Sequence, residues 1–344
     1  MLFHKAVTLL ISLTIASLCA QTPVQSESRQ AASDAPTLTL PRFEPECPPL
    51  LEMRYHTVWR LLADNTMFPD RLAQWSDWEH KFDGRLTDQR TTENAINELI
   101  SSLKDEYTYY RDAAATRARE LEFDQHNVVT YKNLTGQVAY IQIKTFSSRH
   151  TAEEVQQALS ATSSCSAYIL DLRGNRGGCV DEAYKIFGMF VDKGHFALMR
   201  GRAAGEDYLE DLQVTSNKLR STVNGVTTQS SRVGNLTGKK PVLVLVDMNT
   251  RSASEMLAGS LKDNKRAKLL GSNTYGKGVI QNTWLFDDGT SIKIAMARYY
   301  LPELGCINGV GIAPNYSVPT QPGKDSQLAE AMRLVQHSLA FHGR

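Results

Sequence analysis

Three short stretches of the 344-residue chain carry side chains able to do covalent chemistry. In "DMNTRSASEML", Ser252 stands three residues ahead of Glu255, the S-x-x-E spacing of a capping box that satisfies an open helix end. A nucleophile suits the same place, because the free N–H groups of a first helical turn stabilise developing negative charge. Spacing alone does not separate the two roles. In "GSNTYGKG", Lys277 lies between glycines at the start of a β-type run. A lysine in a tight, desolvated place has its charged form disfavoured and can act as a general base, whereas a lysine in a surface turn has no such role. In "ILDLRGNRGGCVDEA" a glycine-rich loop follows an apolar strand, and it holds a phosphate or an oxyanion, or is a plain strand-to-helix turn.

The phosphate reading fails in both loops. Gly271 to Lys277 matches the first seven positions of a P-loop, but Gly278 replaces the required Ser or Thr and a strand follows instead of a helix. The loop 174–178 lacks a full G-x-G-x-x-G. With no CxxC or HExxH and eight scattered histidines, neither a metal centre nor an organic cofactor is expected. Thirty-eight basic and 37 acidic residues, without blocks of one sign, leave no electrostatic footprint for nucleic acid.

The elements that must position these residues follow from periodicity. Residues 1–20 read as a signal peptide, a lysine and then an apolar run too short for a membrane span; Cys19 permits membrane attachment only if it is lipidated. Residues 21–48, rich in Ser, Pro, Gln and Ala, read as a disordered linker. "LLEMRYHTVWRLLADN" and "TTENAINELISSLKDEYTYY" have helical spacing, with Thr91 or Thr92 as cap, and define a helical subdomain over 49–125. From 126 to 322 strands such as "GQVAYIQI", "AYILDLR" and "PVLVLVD" alternate with helices such as "DEAYKIFGMFVD" and "SASEMLAGSLKDN", the signature of an α/β domain. Residues 200–239, weakly periodic, read as a loop or insertion, and 323–344 as a closing amphipathic helix with a Ser/Asp cap. Four cysteines, Cys47, Cys165, Cys179 and Cys306, remain after the leader.

In this order "LDLRGNRGG", "VLVLVDMNTRSASEMLAGSLKDNKRA", "GSNTYGKGVIQ" and "GVGIAPN" resemble the C-terminal processing (tail-specific) serine peptidases, over most of residues 55–335. The resemblance implies a catalytic core of crotonase/Clp-protease-like fold beside a small N-terminal helical subdomain. It implies Ser252 as nucleophile, Lys277 as general base of a Ser/Lys dyad, and Gln281 as the helper that holds the amine. It also implies Gly178 N–H as oxyanion donor, with Ala253 N–H the expected second donor and Gly177 and Glu255 in support. Asp263 matches a functional aspartate of the family, but eleven residues of helix place it about 16 Å from Ser252. Positioning is therefore its expected role, through a neighbouring strand or the basic "KRAK".

Most relatives of that family place a PDZ domain of roughly 80 to 100 residues, an ordinary domain size, between the helical region and the core, and the interval from Tyr110 to Gly136 has no room for it. Substrate choice then falls to the cleft, or to an adaptor or activating partner. A bridge from Cys179 to Cys306 suggests itself as a way to stiffen the site. The expectation is an exported, periplasmic or extracytoplasmic serine endopeptidase acting on proteins or peptides near their C-termini at apolar residues. A non-catalytic peptide-binding scaffold that kept the cleft is the competing reading, and a hydrolase of small esters or amides a third.

Overall fold

The computed structural model describes residues 48–135 and 137–342. The expected signal peptide with Cys19, and the linker up to and including Cys47, lie outside the described residues. No described helix is long and apolar enough to cross a membrane. The chain divides into two compact units. One takes residues up to Thr116 with Ala204–Glu206 and Thr283–Ile294, and the other takes Arg117–Ala203, Asp207–Asn282 and Ala295–Arg344. The first unit thus ends short of residue 125 and takes back two later segments, which no local pattern announces.

The first unit is built on helices α1 (Pro48–Asn65), α2 (Ser76–Glu79) and α3 (Gln89–Ser102) and strand β1 (Tyr109–Arg111). Tyr55, Val58, Leu62, Ile96, Leu99 and Leu103 form its core together with Ile292 and Ile294 of the returning segment. The cap of α3 is Asp88 and not Thr91 or Thr92: Asp88 Oδ1 accepts from Thr91 N–H at 2.7 Å, and Thr91 Oγ1 accepts from Asp88 N–H at 3.1 Å. A carboxylate satisfies the N3 donor and favours the positive helix end as well. Arg54, only 6% exposed, donates to Asp288 Oδ2 at 2.5 Å and Thr290 Oγ1 at 2.9 Å, with its guanidinium 4.4 Å from the centre of the Phe286 ring.

Helix α4 (Ala113–Phe123) leads into the second unit, where strands β2 (Val129–Thr135), β3 (Val138–Ile143), β4 (Ala167–Asp171) and helices α5 (Thr151–Ala161) and α6 (Val180–Phe190) follow. Strands β5 (Gly194–Ala203), β6 (Glu206–Val214), β7 (Lys218–Val223) and β8 (Val226–Ser231) come next. The run β9 (Val242–Val246), α7 (Ala253–Asp263) and β10 (Lys268–Gly271) carries the candidate nucleophile, and β11 (Val279–Leu285), β12 (Ser291–Tyr300), β13 (Tyr316–Ser317) and α8 (Ser326–His342) close the chain. A mixed α/β fold results, as the sequence pattern led one to expect.

The main sheet has the order β13-β10-β9-β4-β3-β2, parallel except for β2. Tyr168, Leu170, Val242, Val244 and Val246 face the core shared with α5, α6 and α7, while Ala167, Ile169, Leu243, Leu245 and Leu270 pack on Ala331 and Val335 of α8. Burial of both faces is why β4 and β9 read as unbroken apolar runs. Arg173 ties the end of β4 to the start of α8, contacting Asp171 Oδ2 at 2.6 Å and Asp325 Oδ1 at 2.7 Å. Because β4, β9 and β10 are adjacent and parallel, the loops leaving their carboxyl ends emerge along one edge, where α/β sheets build their sites.

The loop expected at 200–239 is instead mostly antiparallel strand, part of β5 together with β6 to β8. Every residue of β8 is exposed and only Leu219 of β7 is buried, so no alternating pattern is written into these Ser/Thr-rich segments. The Cys179–Cys306 bridge is absent: Cys165, Cys179 and Cys306 are thiols.

Burial raises the Asp288 carboxyl, but the Thr290 hydroxyl and N–H and the Arg54 guanidinium outweigh it and hold it below the usual carboxylate range. A depressed folded-state value contributes stability above the unfolded value and loses it as pH falls through the folded one. Replacing Asp288 by Asn should cost about 1 to 3 kcal/mol at neutral pH, and the deficit should shrink as pH falls below about 4, measured by urea unfolding across pH.

Candidate active site

Strand β9 ends in a turn fixed from both sides. Asp247 Oδ1 accepts from the N–H groups of Asn249 (2.9 Å), Thr250 (3.0 Å) and Gly174 (3.0 Å), and Thr250 Oγ1 donates to Leu172 O at 2.9 Å. The turn delivers Ser252 at φ 58° and ψ −124°, directly ahead of α7. A side chain held at such a φ costs about 1 to 3 kcal/mol and persists only where the surroundings dictate it. The sharp strand–turn–helix geometry is that of a nucleophile elbow. Ser252 is half-buried, and its N–H donates to Glu255 Oε2 at 2.9 Å, so the carboxylate half of the capping box forms.

Glu255 does more than cap. Fully buried, it receives Thr274 Oγ1–H (2.5 Å) and Gly276 N–H (2.7 Å) on Oε1, and Lys277 N–H (2.9 Å) on the same Oε2 that Ser252 uses. Burial pushes its carboxyl up, against the pull of these four donors. One oxygen therefore holds the backbones of Ser252 and Lys277, 25 residues apart in sequence, within a single side chain of each other. Lys277 precedes β11, and its Nζ donates to Gln281 Oε1 at 2.7 Å, four residues along on that strand. The "GVGIAPN" segment braces this loop: Ile312 N–H donates to Thr274 Oγ1 (2.7 Å) and Gly309 N–H to Gly276 O (2.8 Å).

The glycine loop after β4 lies against the elbow. A Cβ on Gly177 would sit 2.6 Å from Arg251 O, 2.9 Å from Ser252 Cβ and 3.1 Å from Ala253 N, which leaves glycine as the residue that fits. Gly178, at φ 150°, runs beside Phe146: Phe146 N–H donates to Gly177 O (3.0 Å) and Cys179 N–H to Phe146 O (2.8 Å). In such a parallel bridge the N–H of Gly178 itself points away from its neighbour. Ala253 N–H belongs to the open first turn of α7. The glycine loop thus packs its backbone directly on the Ser252 turn and on Phe146.

Asp263, at the far end of α7, accepts on Oδ2 from Glu303 N–H (2.9 Å) and Leu304 N–H (3.0 Å). It thereby fixes the turn after β12, and the "KRAK" link is corrected: Arg266 of that motif binds the carbonyls of Phe190 and Lys240. Sequence reading missed Asn175, Ser254 and Thr274. Asn175 Oδ1 accepts from Gly177 N–H (2.9 Å) and Ser254 Oγ (2.7 Å), while its Nδ2 donates to Ile143 O (2.8 Å). An asparagine inside a glycine-rich turn was the available signal. Asn175→Ala would leave Gly177 N–H and Ile143 O without these partners, while the Ser254 hydroxyl keeps the residue-175 carbonyl at 3.1 Å, and should destabilise by about 1 to 3 kcal/mol in thermal or urea unfolding.

Several known proteins are similar to this chain. The carboxy-terminal-processing protease of Bartonella bacilliformis is 31% identical over 212 residues, 60% of this chain and 44% of that protein. The chloroplastic carboxyl-terminal-processing peptidase 2 of Arabidopsis thaliana is 33% identical over 192 residues, 55% of this chain and 33% of that protein. This chain therefore spans less than half the length of these relatives. Among solved structures, the photosystem II D1 C-terminal processing protease superposes with a TM-score of 0.59 at 18% identity, over 78% of this chain and 93% of that one. A lipoprotein from Streptococcus agalactiae gives 0.66 at 15% identity, over 88% and 100%. These two likenesses describe the fold. The model of peptidase family S41 matches residues 137–318, which include the elbow, the glycine loop and the Lys277 loop, and on that match the chain belongs to peptidase family S41.

Proposed function

We propose that the chain is an exported serine endopeptidase that cleaves proteins near their C-termini at apolar residues. Ser252 Oγ attacks the scissile carbonyl carbon and Lys277 Nζ, as the neutral amine, takes its proton; the carbonyl oxygen becomes the oxyanion, held by Gly178 N–H and Ala253 N–H. As the tetrahedral adduct collapses, the proton passes from Lys277 to the leaving amine and an acyl-enzyme remains. Water, activated by the same amine, then releases the acyl group. Gln281 fixes the amine, and neither metal nor organic cofactor enters. The single observation carrying this reading is the Glu255 carboxylate that grips the N–H groups of both Ser252 and Lys277.

Exposed Met248, Tyr275 and Val310 stand on the loops around Ser252 and Lys277, which supports a preference for apolar substrate residues. Between β1 and β2 the chain forms α4, which supports C-terminal selection by this cleft or by an adaptor. Export rests on the apolar N-terminal run alone.

A serine-directed phosphonate should label Ser252, and Lys277→Ala should slow labelling by about 10² to 10⁴-fold. Unfolded substrates with free and amidated C-termini should be cleaved at different rates if the terminus is read. Absence of both labelling and cleavage would favour a non-catalytic peptide-binding protein.

A further inference from the structure

The histidines that look scattered in sequence are not all scattered in space. His56 on α1, His80 after α2 and Asp83 bring three metal-ligating atoms within 4.8 Å of one another in the first unit. Asp83 Oδ1 lies 3.3 Å from His56 Nε2 and Asp83 Oδ2 lies 2.8 Å from His80 Nδ1, with the two imidazole centres 5.4 Å apart. For metal–ligand bonds of about 2.0 Å the edge of a tetrahedron is about 3.3 Å; the His56–Asp83 separation matches it, and an ion would replace the shorter His80–Asp83 hydrogen bond as the three ligand atoms, now within 4.8 Å of one another, close on it.

The scaffold behind the three groups is fixed. Tyr55, fully buried beside His56, donates its hydroxyl to Trp78 O at 2.7 Å and meets the Phe82 ring edge-on, with centres 5.3 Å apart. On the other side Glu52, one helical turn before His56, accepts Gly84 N–H at 2.7 Å. The segment 78–84 is therefore pinned to α1 on both flanks of the cluster, and Phe82 plugs the core between them. Lys81, the cation in this segment, is turned away onto the Trp78 ring and Glu98. The imidazoles and carboxylate remain open to solvent, with side-chain exposures of 32% for His56, 71% for His80 and 45% for Asp83, so an ion can enter and keep water as a fourth ligand.

We infer that His56 Nε2, His80 Nδ1 and one oxygen of Asp83 bind a divalent transition cation, of which Zn2+ is the type suited to two imidazoles and a carboxylate. The ion joins α1 to the segment after α2 and stabilises the helical unit. It takes no part in the chemistry at Ser252.

Calorimetric titration of ZnCl2 into the full, tag-free chain, with thermal unfolding in Zn2+ and in EDTA, tests the site. The expected result is uptake of about one ion per chain at micromolar concentration with a raised unfolding midpoint. His56→Gln and Asp83→Asn should each weaken uptake at least about tenfold, the loss that even outer-sphere partners cause. His126→Gln, at the stacked His126–His150 pair elsewhere, should leave it unchanged. No uptake by the wild type, or uptake that survives both substitutions, or uptake abolished by His126→Gln, would overturn the assignment and leave a plain His–Asp contact. Should a variant fail to fold, X-ray absorption on the Zn2+-loaded wild type reads the ligands directly: two imidazoles support the site, and one or none refutes it.

Discussion

One buried carboxylate organises the candidate site. Glu255 has no contact with solvent, yet four donors converge on it from two places in the chain: the elbow at Ser252, and the loop that carries Thr274, Gly276 and Lys277. Placing a carboxylate out of water is costly unless each lone pair is used, and here two donors serve each oxygen. The cost of burial becomes positional accuracy. Ser252 cannot relax from its strained φ without losing a bond to Oε2, and Lys277 cannot leave without losing another on the same atom.

That convergence presupposes the sheet. Only because β10, β9 and β4 are neighbours and run the same way do their carboxyl-terminal loops meet, bringing Lys277, Ser252 and Gly177 together from positions spread over a hundred residues. The closeness of the layers then selects side chains of minimal size. A Cβ at Gly177 would strike the elbow, and one at Gly178 would lie 2.1 Å from the backbone of Phe146. Asn175 supplies the remaining tie, linking the loop after β4 to Ser254 on α7 and to the end of β3. Asp263 serves the opposite end of α7, far from the elbow, by holding the turn after β12.

How much of this is legible in the sequence depends on burial. The unbroken apolar runs of β4 and β9 and the periodic face of α3 declare themselves because water must be kept from them. The strands β7 and β8 do not, since exposed Ser, Thr and Gln satisfy a ladder without any alternation. Ser252, Lys277 and Gln281 stood out through motif order; their mutual placement, and the four-fold use of Glu255, are long-range facts that local spacing does not encode. The cap of α3 lies one turn ahead of the threonines that the sequence suggests, because Thr91 is itself half of the box that Asp88 opens. The return of residues 283–294 to the helical unit, with Ile292 and Ile294 in its core, was invisible for the same reason as the clustering of His56 with His80: distance along the chain says nothing of distance in space.

The Glu255 carboxylate holds the backbones of Ser252 and Lys277, the proposed nucleophile and base, in register, and the rate of acylation of Ser252 in a Glu255→Gln variant tests this most directly. An amide keeps the volume but presents a donor to backbone N–H groups, so a displacement of about 1 Å is expected to slow acylation by at least about 100-fold in a protein that circular dichroism shows to be folded. Acylation at the wild-type rate in that folded variant would contradict the account.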